Sequence, residues 1–188
     1  VHAWAQVAHA DIDTNLSDYD IKNALNANLP SDCRMIDVQK VVRDFHARYD
    51  AKSRFYRYQC YTGNSILYRN QSWVLPRLDI NYLNKFARIL VGDHDFLSFC
   101  KYNEDQKNTK CSVIDSKWSS EQRMITFKIE ANRFLHHMIR YLVGTMIALN
   151  QNRFSEDEFL SLLIEPQKEV KIKKAPPQGL ILEKINYA

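Results

Sequence analysis

Met124-Ile125-Thr126-Phe127-Lys128-Ile129-Glu130-Ala131-Asn132-Arg133-Phe134-Leu135-His136-His137-Met138-Ile139-Arg140-Tyr141-Leu142-Val143-Gly144-Thr145-Met146-Ile147-Ala148-Leu149 changes hydrophobic period part-way along. Up to Ala131, Ile125, Phe127 and Ile129 alternate with Thr126, Lys128 and Glu130, the period of a half-buried strand. Beyond it Leu135, Met138, Ile139, Leu142, Val143, Met146 and Ile147 recur every three or four residues, which predicts a long helix over Arg133 to Leu149. Thr109 to Trp118 reads as the hairpin partner of the strand. A hairpin followed by a helix belongs to an α+β chain with a largely antiparallel central sheet and flanking helices, rather than to a doubly wound parallel fold.

The rest of the chain agrees. Strands are expected over Trp4 to Ala10, Arg34 to Val42, Phe55 to Tyr61 and Leu180 to Tyr187. Ser17 heads a helix through Ile21, Ala24, Leu25 and Leu29, stopped by Pro30, with Asp20 where a capping box has Glu or Gln. Asp79 caps a helix through Leu83, Phe86, Ala87 and Leu90, with Gly92 as its C-cap. Ser155 and Glu158 form a capping box for a helix that ends before Pro166. The polar run Lys101 to Lys110 reads as a loop, and Pro176-Pro177 break the chain. Gly63 to Leu78 is the best boundary loop, dividing the chain into 1–62 and 63–188.

The 188 residues are 45% hydrophobic and 26% charged, the balance of a globular protein with a real core. No apolar run approaches the roughly 20 residues of a membrane helix. Cys33, Cys60, Cys100 and Cys111 lack close spacing and read as reduced thiols of a cytoplasmic protein. His136 and His137 are adjacent, so on a helix they point about 100° apart, which argues against a shared metal. With the scattered cysteines this leaves no metal expected, and only 4 glycines, without a phosphate-cradling loop, leave no nucleotide cofactor expected.

Net charge is a mild +4, but its distribution is uneven. Arg43, Arg48, Lys52, Arg54 and Arg57 face only Asp44 and Asp50, and Lys168, Lys171, Lys173 and Lys174 face only Glu169. The first group is threaded with Phe45, Tyr49, Phe55, Tyr56 and Tyr58. Cations that meet phosphates and rings that stack on unpaired bases are what an RNA-gripping surface needs. Both faces of the Phe55 to Tyr61 strand are mixed, a hint that one meets a ligand. Taken alone, Tyr56 reads first as an ordinary sheet aromatic, and Arg140 by default as a helix-surface arginine in an exposed salt bridge.

Five segments in order resemble one family. They are Val1-His2-Ala3-Trp4-Ala5-Gln6-Val7-Ala8-His9, Asp44-Phe45-His46-Ala47-Arg48 with Tyr56-Arg57-Tyr58, Leu90-Val91-Gly92-Asp93-His94-Asp95-Phe96, Asn132 to Arg140, and Ala175-Pro176-Pro177-Gln178-Gly179-Leu180. Together they resemble the bacterial-type tRNA pseudouridine synthase A family along the whole chain. The resemblance implies a pseudouridine synthase-like fold of two related α+β halves around an RNA-binding cleft. It also implies a cytoplasmic homodimer that needs no cofactor or metal. Its substrate would be uridine on the 3′ side of the tRNA anticodon stem-loop. Tyr56 would be the ring that stacks on the flipped base and Arg140 the partner of the catalytic carboxylate. Phe45, His46, Arg48, Lys52, Arg54 and His2, with Tyr56, would bind the substrate. The family's nucleophilic Asp lies in Gly-Arg-Thr-Asp-x-Gly-Val-His-Ala, so it is expected upstream of Val1. The alternative is a non-catalytic RNA-binding module that lacks the nucleophile.

Overall fold

The structure, a computed structural model, describes residues 1–104 and 108–187. Its strands are β1 (His2–Ala3), β2 (Ser53–Thr62), β3 (Trp73–Leu75), β4 (Gly92–Asp95), β5 (Lys110–Glu121), β6 (Met124–Ala131) and β7 (Leu180–Asn186). Its α-helices are α1 (Asp18–Asn28), α2 (Ile80–Ile89), α3 (Met138–Asn150) and α4 (Glu156–Ile164). The strands form one sheet in the order β1-β7-β2-β6-β5-β4, with β3 also on β2. The β1–β7 and β2–β3 pairings are parallel and the others antiparallel. This is the expected α+β architecture with a largely antiparallel sheet.

The chain divides into two compact units, Val1–Gln6 with Ala51–Ala188, and Val7–Asp50. The larger holds the sheet and one core, in which Tyr58, Cys60, Ile125, Phe127 and Ile129 meet Met138, Leu142, Val143 and Met146 of α3. At roughly 1.5–3 kcal/mol per large apolar side chain buried, this layer holds α3 to the sheet. Trp118 joins it, its indole N–H donating to the Met146 sulfur (3.4 Å). In the smaller unit Ser17 accepts from the Asp20 amide (3.2 Å) to start α1. Asp20 returns to the Ser17 hydroxyl (2.6 Å), not to its backbone as a capping-box Glu would. The Asn26 side chain accepts from Met35 N (2.8 Å) and donates to Met35 O (3.0 Å), fixing the chain that follows α1.

Several expected elements change. The strand expected over Trp4 to Ala10 does not form: β1 is His2–Ala3, just before it, and beyond that ladder Trp4 N donates to Leu182 O (2.8 Å). Arg34 to Val42 forms no strand; among the described residues it has no ladder partner, and Ile36 and Val42 are exposed. The helix expected from Arg133 begins only at Met138, because His137 turns left-handed at φ 66°. The two histidines therefore precede the helix, and their rings stack 3.9 Å apart. Gly92 opens β4 at φ 110° while Leu90 caps α2. In the expected loop, Lys110 already belongs to β5 and residues 105–107 lie outside the described residues. The capping box at Ser155 forms as expected.

Candidate functional site

β2 runs through the middle of the larger unit, and its two faces have separate jobs. Tyr56, Tyr58 and Cys60 point toward the helices, since Tyr58 and Cys60 lie in the core and Tyr56 packs against it. The Tyr58 hydroxyl donates to Pro176 O (2.8 Å). Tyr56 stands one pleat further along, half-buried, with the Phe134 ring edge-on at 5.2 Å. Burial raises the Tyr56 pKa, only partly opposed by Arg54, so its hydroxyl keeps its proton at neutral pH. A rigid, partly open phenol beside a second ring is a surface on which a flat base can stack.

Arg140 lies on the same side, in the first turn of α3. Its charge reaches Tyr58. Two bonds fix it to the chain before Pro176: Arg140 Nε donates to Ala175 O (2.7 Å), and Ala175 N donates to Arg140 O (2.9 Å). Among the described residues Arg140 enters no ion pair. A half-buried guanidinium held through Nε, and without a carboxylate partner in this set, suits an incoming anion.

The opposite face of β2 carries Arg57. Its guanidinium makes a two-pronged pair with Glu183 (2.8 and 2.6 Å) and stacks under Trp4 at 4.5 Å. Glu183 is the extra residue where the β2–β7 register shifts between Phe55 and Tyr56. Arg57, read from sequence as a phosphate contact, is thus neutralised within the fold, and Glu183 was missed because its partner lies 126 residues away. Arg54 Nη1 donates to Ala51 O (2.9 Å) and Asn132 O (2.6 Å), tying β2 to the end of β6. The Lys52 amide donates to Asn186 O (2.7 Å) and its side chain is exposed. His2 Nε2 donates to Asn70 O (3.0 Å).

Phe45, His46 and Arg48 belong to the smaller unit. The His46 amide donates to Asp50 Oδ2 (2.7 Å), and its Nδ1 accepts from the Arg48 and Tyr49 amides (3.1 and 3.2 Å). His46 thus builds its own turn, and its ring lies between His9 at 4.5 Å and Tyr49 at 4.3 Å. The Arg48 guanidinium sits 5.7 Å over the Tyr49 ring. Phe45 meets His9 edge-on at 6.4 Å. His9 was read only as the end of the first family-like segment and not as a site residue, and its small apolar neighbours Ala8 and Ala10 gave no further signal.

Residues 86–188 match the family model described as tRNA pseudouridine synthase. A protein of Bacillus cereus named tRNA pseudouridine synthase A 1 is 33% identical over 190 residues, spanning 100% of this chain and 77% of its own. Proteins named tRNA pseudouridine synthase A from Ehrlichia chaffeensis (35% over 192 residues, 100% and 78%) and Pelodictyon phaeoclathratiforme (36% over 188 residues, 100% and 77%) are similar to the same extent.

Proposed function

The chain belongs to the tRNA pseudouridine synthase A family, and from that premise we propose that it converts uridine to pseudouridine in the anticodon stem-loop of tRNA, with Tyr56 and Arg140 in the reacting site. The observation that carries the site assignment is the arrangement on one side of the sheet. There a half-open phenol and an arginine without an ion-pair partner among the described residues are each fixed by their neighbours. The reaction breaks the glycosidic N–C bond, turns the base and rejoins it through carbon. The base must first leave its stack, at a cost of a few kcal/mol. Stacking on Tyr56 offsets this by roughly 1–3 kcal/mol. The nucleophile is an aspartate that we place upstream of Val1. Arg140 beside it would lower its pKa by roughly 1–3 units and keep it ionised. Phe45, His46, Arg48, Lys52, Arg54 and His2 are proposed to hold the tRNA. The working form is proposed to be a cytoplasmic homodimer of two α+β halves per subunit, 1–62 with the upstream residues and 63–188.

The test is single-turnover pseudouridine formation by the full-length protein on tRNA, alongside filter binding. Tyr56→Ala, which removes the stacking ring, and Arg140→Ala, which removes the charge partner, should each slow turnover by about 10–100-fold, with tRNA affinity within a few fold. Equal losses of binding and turnover would remove both residues from the chemistry. Binding without any pseudouridine in the unaltered protein would leave the RNA-binding module.

A further inference from the structure

The segment between α4 and β7 carries Lys168, Lys171, Lys173 and Lys174, with Glu165 at its start and Glu169 as the one acid among the lysines. Its backbone is pinned near both ends. Gln167 N donates to Ser98 Oγ (2.8 Å), and Ala175 N to Arg140 O (2.9 Å). Val170 and Ile172 face the core, and the lysines between and after them are exposed. The strap crosses α3 so closely that a Cβ on Gly144 would stand 1.9 Å from Lys173 O. A lysine normally wanders over several rotamers. Here three are held over rings: Lys168 on Tyr102 at 4.3 Å, Lys173 on Trp73 at 5.2 Å and Lys174 on Tyr141 at 5.8 Å. Among the described residues none of the four forms an ion pair.

We propose that this lysine strap is a second track for the substrate's phosphate backbone, leading away from Arg140. The inference rests on the synthase reading, which makes the polyanion an RNA. Three features distinguish the strap from an ordinary solvated lysine run. The backbone is fixed, the ammonium groups are preset by aromatic partners, and one end is hydrogen-bonded to the arginine of the proposed site. His137 reports the local field. Its pKa is lowered to about 4, first by burial and then by His136, Lys174, Arg140 and Lys101, with no acid among its causes. The positive groups that add to burial in keeping this imidazole neutral also attract a phosphate.

The experiment compares Lys173→Gln with Lys174→Gln, combined in one full-length protein, against the charge-matched pair Lys110→Gln and Lys117→Gln on exposed positions of β5. tRNA binding is measured from 50 to 300 mM salt. Loss of two phosphate contacts should flatten the slope of log affinity against log salt by about 1.4–1.8 and weaken binding about tenfold at 0.1 M. The β5 pair should leave the slope unchanged. An unchanged slope in the strap variant, or the same change in both pairs, overturns the proposal. Pseudouridine formation by the unaltered protein is scored separately. If it is absent while the slope change persists, the synthase reading fails and the track stands. If it is present with no slope change, the track alone fails.

Discussion

Tyr56 and Tyr58 share a strand face two residues apart and have different surroundings. Tyr58 is fully buried, its hydroxyl on Pro176 O and its ring against Gly179, where a Cβ would come within 2.7 Å of Cζ. Tyr56 keeps an open edge beside Phe134. Spacing along β2 could put both rings on one face but could not separate them, because the distinguishing partners come from segments far along the chain. The resemblance to the family, not the strand pattern, singled out Tyr56. The same limit applied to Arg57, whose charge looked available until Glu183 was placed against it. His137 shows how neighbours set a residue's state. With a pKa of about 4 it stays neutral in the fold through physiological pH, whereas in an unfolded chain it would titrate near 6.5. Between those values the unfolded chain binds the extra proton, so this histidine erodes stability as pH falls from about 6.5 to 4 and adds no further loss below. The groups acting on it are His136 beside it, Arg140 on α3, Lys174 on the strap and Lys101. An NMR titration of the imidazole should find this low value, and Lys174→Gln should move it upward. A midpoint unmoved by that substitution would mean that burial with His136, Arg140 and Lys101 sets it without Lys174.

At the scale of elements, capping and alternation were legible wherever a segment's neighbours in sequence are also its neighbours in space. The Ser155 box, α2 behind Asp79 and the β5–β6 hairpin all formed as read. The start of α3 did not, because residues 132–137 must carry the chain from β6 back over the sheet. Asn132 is committed there, accepting from the Ser112 amide (3.0 Å) and donating its own to Ser112 O (3.1 Å). Gly144 is the clearest case of a tertiary contact overriding helix propensity. Mid-helix, Ala in place of Gly ordinarily gains about 1 kcal/mol. Here the added methyl would collide with the backbone of Lys173 and Ala175, neither the flexible end of a side chain. Gly144→Ala should therefore lower stability by roughly 1–3 kcal/mol, as overpacking does. It should also displace the strap that holds Arg140, so turnover falls with it. A denaturant midpoint at or above that of the unaltered protein would show that the strap yields freely.

At the scale of the whole molecule, composition and the hairpin identified an α+β protein, but the strand order was out of reach. Neither alternation nor propensity says which strands are neighbours, and β7 owes its place to contacts over more than a hundred residues, such as Tyr56 opposite Leu182. That placement has a consequence for how the protein is made. β7 is the latest described strand in the sequence, yet it sits between β1 and β2. On a translating ribosome, β1 emerges with no edge to join. At about 5–20 residues per second, its seat is synthesised roughly 10–40 s later. Until then β1 waits without its seat on β7, and this part of the sheet closes only once β7 has been made. A nascent chain arrested before Leu180 should leave His2–Ala3 open to protease while the β5–β6 hairpin is already protected. Protection of both before β7 is made would mean that His2–Ala3 have another temporary lodging during synthesis.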